Sequence, residues 1–175
     1  LTATDPGGHT GTVAQASGGF TGIDTINAGT GDDTLTGTDS LTFWTASADT
    51  IDTGGTILTY SGFDTLQGGD GVDFFVIDAP LPITVLMGGG DDRIDIRVGG
   101  SLTGSLDGQG GTDALFYTAR TDDITANLQT GVATGVAGTF TNVEAIYGGT
   151  GDDDLTGDNS DNVLVGGPGN DTLTG

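Results

Sequence analysis

Aspartate recurs at a fixed interval along this chain, at Asp33, Asp73, Asp113 and Asp153, and its neighbours recur with it. Two positions after each stands a large apolar residue: Leu35, Phe75, Leu115 and Leu155. Nine positions before each lies a second column, Asp24, Asp64, Gly104 and Glu144, followed two residues later by Ile26, Leu66, Leu106 and Ile146. Phe20, Tyr60 and Phe140 add an aromatic column, broken only by Gly100. Several independent columns sharing one 40-residue period identify a repeat array, in which each unit buries its apolar side only by stacking on the next.

The unit divides further. Asp73 and Asp92 are 19 residues apart, Asp92 and Asp113 21, and Asp153 and Asp171 18, so each unit holds two coils of about 20 residues. A nine-residue step, from Asp64 to Asp73 or from Asp153 through Asn162 to Asp171, is one short strand and one turn. In Asp33-Thr34-Leu35-Thr36 and Asp171-Thr172-Leu173-Thr174 one apolar residue alternates with polar neighbours, the period of a half-buried strand. Glycine, 35 of 175 residues, flanks these strands and argues against helix. The expected fold is all-β, a parallel β-solenoid spanning 1–175 as one array and forming part of a longer repeat protein. Coils of this length place Asp33, Asp73, Asp92, Asp113, Asp153 and Asp171 on one edge, with Asp49 or Asp52 in the second coil. Asp24, Asp64, Gly104, Glu144 and Asn162 fall on the other. Ala79-Pro80-Leu81-Pro82 is expected to form a turn or bulge, and residues 37–48 a wider coil or an outward loop.

Charge narrows the function. Twenty-five acidic residues face three basic ones, Arg93, Arg97 and Arg120, for a net charge of −22. Nucleic acid is excluded as a partner, because its phosphates need cationic surface. The acids are almost all Asp, with Glu144 the single Glu; Asp holds a hard oxygen close to a tight turn, which suits calcium. There is no Cys for a disulfide or thiolate site, and no apolar run long enough for a membrane helix. His9 is the only His, so zinc coordination has no second imidazole, and Ser17 and Ser61 have no His to activate them. The chain is read as not an enzyme.

The turns share a local motif. Its best copies are Gly148-Gly149-Thr150-Gly151-Asp152-Asp153-Asp154-Leu155-Thr156 and Gly166-Gly167-Pro168-Gly169-Asn170-Asp171-Thr172-Leu173-Thr174. Weaker copies are Ala28-Gly29-Thr30-Gly31-Asp32-Asp33-Thr34-Leu35-Thr36 and Gly68-Gly69-Asp70-Gly71-Val72-Asp73-Phe74-Phe75-Val76, and degenerate ones surround Asp92 and Asp113. The pattern, G-G-x-G-x-D-x-U-x with U apolar, resembles the repeats-in-toxin (RTX) calcium-binding β-roll family. That resemblance implies several Ca²⁺ ions held between successive turns by Asp33, Asp73, Asp92, Asp113, Asp153 and Asp171. Asp24 and Asp64 match less fully, and the turn glycines Gly29, Gly31, Gly69, Gly71, Gly149, Gly151, Gly167 and Gly169 belong to the same sites. Calcium is expected along the first edge, with a gap near Val132. Asp32, Asp91 and Asp152 are expected to stay in solvent beside the ligands. Gly104, Glu144 and Gln109 depart from the pattern.

The resemblance further implies a secreted or cell-surface bacterial protein whose rod-like module folds on binding calcium, as part of an adhesin, surface layer, matrix or fibre. Neighbouring copies end to end and cell-surface glycans are the expected partners besides calcium. The alternatives are a carrier segment of an exported hydrolase or toxin, or a calcium-dependent polysaccharide lyase on a β-helix, for which Arg93, Asp95 and Arg97 would supply the basic element.

Overall fold

The computed structural model describes residues 2–4, 25–28, 30–45, 50–52 and 57–175. Asp24, Gly29 and Asp49, with Phe20, His9 and Ser17, lie outside the described residues. No helix occurs among the described residues; the chain is a stack of short strands.

One sheet stacks Thr34–Thr36, Thr65–Gln67, Thr84–Leu86, Leu106–Asp107 and Phe140–Thr141, every neighbour parallel. Thr2–Thr4 closes its far edge in the antiparallel sense. A second sheet stacks Thr42–Thr45, Asp73–Ile77, Arg93–Ile96, Ala114–Phe116, Ala145–Tyr147 and Val163–Val165, again in parallel. The middle coils have a short third side, where Pro80–Leu81 pairs in parallel with Ser101–Leu102. Toward the C-terminus the coil becomes two-sided, and Thr125–Asn127, Asp154–Thr156 and Thr172–Thr174 face the second sheet. The solenoid is therefore all-β and parallel, as the repeat requires.

Alternation fills the interior. Leu35, Leu66, Val85, Leu106 and Phe140 form one buried row, and Trp44, Phe75, Ile94, Leu115 and Ile146 another. Each such side chain contributes about 1.5–3 kcal/mol by leaving water. Trp44 stacks on Phe75 with ring centroids 5.5 Å apart.

The coils are less uniform than the sequence suggests. Between matching rungs lie 31 residues from Asp33 to Asp64, 19 from Asp73 to Asp92, 21 from Asp92 to Asp113, 31 from Asp113 to Glu144 and 18 from Asp153 to Asp171. Antiparallel insertions make the two long coils. In the first, Thr42–Thr45 joins the second sheet and the chain doubles back through Thr50–Asp52 and Ile57–Ser61, so the described part of the stretch expected to widen the coil, residues 37–45, does open a wider coil, and residues 46–48 lie outside the described residues. In the second, Thr125–Asn127 folds back on Val132–Ala133.

These insertions overturn the expected two-edge arrangement. Asp73 to Asp113 spans two whole coils and returns to the same edge. Asp33 to Asp73 and Asp113 to Asp153 each span one 31-residue coil and a nine-residue half-coil, which moves the second aspartate to a different edge. The aromatic column divides in the same way, with Tyr60 in the second sheet and Phe140 in the first. Pro80 is likewise no turn or bulge. It begins an edge strand whose pairing uses the Ala79 and Leu81 carbonyls as acceptors, so its missing N–H leaves no gap.

Candidate metal centre

Each glycine-rich turn rests on the one before it at backbone contact. Gly88 has φ +107°, and a Cβ there would lie 2.1 Å from the Gly69 carbonyl oxygen; Gly90, at φ +119°, would meet the Gly71 oxygen at 2.6 Å. Only glycine permits that approach at that φ. Gly167 and Gly169 repeat the arrangement on the oxygens of Gly149 and Gly151, at 2.3 and 2.0 Å. Gly31 also has positive φ, +130°, in the turn ahead of Asp33. The Gly89 and Gly110 N–H groups donate to the Gly69 and Gly88 carbonyls, so the turns are hydrogen-bonded as strands are.

In four of the turns the aspartate folds back over the glycine five residues earlier. A Cβ on Gly68, Gly108, Gly148 or Gly166 would come within 2.1–2.5 Å of the second carboxylate oxygen of Asp73, Asp113, Asp153 or Asp171. The N–H groups of Gly69 and Gly149 donate to Asp73 Oδ2 and Asp153 Oδ2 at 2.8 and 2.7 Å. The other oxygen serves the neighbouring coil: the Asp73 N–H donates to Asp92 Oδ1 (2.7 Å), and the Asp92 N–H to Asp113 Oδ1 (2.9 Å).

The expected ligand column divides into three ladders. The longest runs Asp73, Asp92, Asp113 and ends at Glu144, whose Oε2 accepts the Asp113 N–H at 2.8 Å. Glu144 thus shares an edge with the first column, contrary to the expectation. Only Asn142 and Val143 separate it from strand Phe140–Thr141, and the longer side chain spans what the missing turn leaves. Asn162 follows one rung on, again on this edge, and its Oδ1 accepts the Asp158 N–H as Asp73 accepts that of Gly69. A second ladder joins Ile124, Asp153 and Asp171 through bonds of 2.8 and 3.0 Å. The third pairs Asp33 with Asp64, whose Oδ2 accepts the Asp33 N–H at 3.0 Å. Gly104 belongs to none of these; a Cβ there would strike the Ile83 oxygen at 2.3 Å. Val132, near which a gap in the calcium row is expected, lies in the antiparallel insertion.

The aspartates preceding the ladder residues have a role that the sequence reading gave them only as solvent neighbours. Asp91 Oδ1 accepts the Thr112 N–H, Asp123 Oδ1 that of Asp152, and Asp152 Oδ1 that of Asn170, at 2.8–2.9 Å. They are exposed and grip the following coil, whereas the inner ladder grips the preceding one. The doublets Asp91-Asp92 and Asp152-Asp153 were the available signal.

Electrostatically the inner ladder is incomplete. Asp73, Asp92, Asp113 and Asp153 are 0–2% exposed. Asp33 Oδ2, Asp92 Oδ2 and Asp113 Oδ2 are buried without any hydrogen-bond partner. Burial pushes the Asp73 carboxyl up, against the opposing bond from Gly69. Burial pushes Asp92 to about 7, with the Asp73 and Asp91 charges adding to it, and Asp113 to about 7, with Asp92, Glu144 and Asp91 adding. Burial thus disfavours the charged form of these groups, and a cation beside them would favour it. The donors are all oxygen, carboxylate and turn carbonyl, which suits a hard ion such as Ca²⁺. Among the described residues no three carboxylates or imidazoles converge, so carbonyls and water must supply most of the coordination. The residues present therefore fit calcium. When bound it supplies positive charge to the unpartnered oxygens and ties adjacent coils together.

Stacked parallel coils joined at glycine-aspartate turns define a calcium-type β-roll. The family profile of the RTX calcium-binding nonapeptide repeat matches the chain in four copies, over residues 18–40, 52–76 and 143–175. The matched stretches are RTX-type repeats, a repeat that binds calcium and occurs in secreted bacterial proteins. No curated protein and no solved structure matches it.

Proposed function

We propose that this chain is a calcium-locked structural module, one array over 1–175, within a larger secreted or cell-surface bacterial protein. The observation that carries this reading is the pair of unpartnered buried oxygens, Asp92 Oδ2 and Asp113 Oδ2, on consecutive coils. An unpartnered buried carboxylate is costly, and repeating it on consecutive coils makes sense only if a cation completes the ladder. Asp33, Asp64, Asp73, Asp92, Asp113, Asp153 and Asp171 are the side-chain ligands of this proposal, with the turn carbonyls around Gly31, Gly69, Gly71, Gly149, Gly151, Gly167 and Gly169. Since the sites exist only once coils stack, binding energy is folding energy, and the rod forms where calcium is abundant, outside the cell. A rigid rod of this kind serves an adhesin, surface layer, matrix or fibre without catalysis of its own, with end-to-end copies and surface glycans as its contacts.

Circular dichroism during calcium titration tests this directly. Strand signal should rise with calcium and collapse on chelation, and the emission of Trp44, the only Trp and 1% exposed, should follow the same curve. Equal strand signal at all calcium levels would falsify the reading.

A further inference from the structure

All three positive side chains of this chain gather at one place. Arg93 and Arg97 project from the second sheet on either side of Asp95, with Arg93 Nη2 3.6 Å and Arg97 Nε 3.3 Å from Asp95 Oδ2. Arg120 donates from Nη1 to the Arg97 carbonyl at 3.4 Å. The Arg93 guanidinium lies over the Phe116 ring, 3.7 Å from its centroid, and Phe116 stacks on Tyr147 at 4.2 Å and 3°. Rings stacked this way along the solenoid turn their edges, not their faces, to solvent, and a guanidinium in the same stack turns its N–H edge outward. The Arg93 and Arg97 side chains are 36% and 44% exposed, and both spend their contact on one oxygen of Asp95. Asp95 Oδ1 is buried with no partner, on a side chain 9% exposed.

The outward positions of this sheet are otherwise poor in carboxylate. Beside Arg93 and Asp95 in register stand Phe74, Val76, Ala114 and Phe116. In a chain of net charge −22 the patch sets Arg93 and Arg97 against Asp95, and Arg120 beside them is paired with Asp122, so three cations face two anions. The patch offers in-plane donors for a carboxylate and an apolar strip of ring edges. A sugar acid presents a carboxylate, ring hydroxyls and C–H groups within one residue, and a linear chain of them lies along a flat sheet. The geometry points to a binding site for a carboxylated polysaccharide on this face, centred on Arg93, Asp95, Arg97 and Phe116. The inference names the glycan class of the surface-contact reading above and rests on the calcium-loaded rod, because calcium lowers the net charge that repels a polyanion.

Calorimetric titration of the calcium-loaded full chain with tetragalacturonate tests it, with maltotetraose and tetraglutamate as controls for charge and for ring hydroxyls. Two variants are compared, Arg97→Gln and the double Arg93→Gln, Asp95→Asn, the second removing a charge pair together so that no unpaired buried carboxylate remains. Tetragalacturonate should bind and both controls fail, and each variant should weaken binding by about tenfold or more, as loss of a charge-assisted contact does. Absence of binding to a chain whose circular dichroism shows a formed solenoid overturns the site. So does equal binding of tetraglutamate. Undiminished binding by both variants also overturns it, since calcium bridges to surface aspartates would be blind to the arginines. The calcium reading itself fails on circular dichroism alone, so the two failures are distinct.

Discussion

Asp92 and Asp113 concentrate the chemistry of this molecule. Each keeps one oxygen for the backbone of the coil before it and leaves the other buried and bare. Because burial raises their folded-state pKa to about 7, above the ordinary carboxylate value of 3.8, the metal-free fold binds more protons than the unfolded chain between those limits. Its stability is then highest at or below about pH 4 as far as these groups decide it, and declines as pH rises toward 7. Calcium should reverse the trend, since protons compete with it for the same oxygens. The strand signal left in chelator should be smaller at pH 8 than at pH 5, and the thermal midpoint in calcium higher at pH 8 than at pH 5. Asp92→Asn and Asp113→Asn should each raise the strand signal of the chelated protein at pH 8, while blunting the gain from calcium. A fall in the chelated strand signal on either substitution would mean these carboxylates are satisfied without a metal. Sequence spacing identified both residues; their unpartnered oxygens could be seen only once the coils were stacked.

At the scale of the element, the turn behaves as a strand made of glycine. Successive turns share backbone hydrogen bonds, and alternate carbonyls press where side chains would otherwise be. Gly88→Ala places a Cβ 2.1 Å from the Gly69 oxygen at φ +107°, and should cost at least about 2 kcal/mol in urea denaturation with calcium present. Gly89→Ala, whose Cβ would sit 3.5 Å from Asp70, should cost about 1 kcal/mol or less. Similar losses for the two variants would show that the turns do not stack as described. Gln109 shows the limit of reading turns by residue type. It holds φ +66° in the position of the motif's second glycine, with its N–H donating to Asp107 Oδ1, so the turn survives a substitution that the motif scores as a defect.

The whole molecule is a rod held together against its own charge. With 25 acidic and three basic residues, repulsion grows as coils stack, and nothing in the chain itself neutralises it. Monovalent salt screens such repulsion at a distance but does not fill a buried site. About 0.5 M NaCl should therefore raise the strand signal of chelated protein partway, and millimolar-range calcium should complete it, as read by far-ultraviolet circular dichroism. Full recovery by salt alone would reduce calcium to a general counterion.

The sequence alone determined the all-β solenoid, the inward apolar rows and the identity of the turn aspartates, because alternation and turn chemistry are local and each repeat states them again. It could not say which aspartates share an edge. A 40-residue period is met equally by two short coils or by one 31-residue coil and a half-turn, and the two choices put the next carboxylate on different edges. Only the tertiary structure decided between them, through strand pairing. The antiparallel insertions after Thr42–Thr45 and Thr125–Asn127 lengthen a coil without changing its register, since hydrogen bonds fix which rungs meet while the chain between them is free to vary.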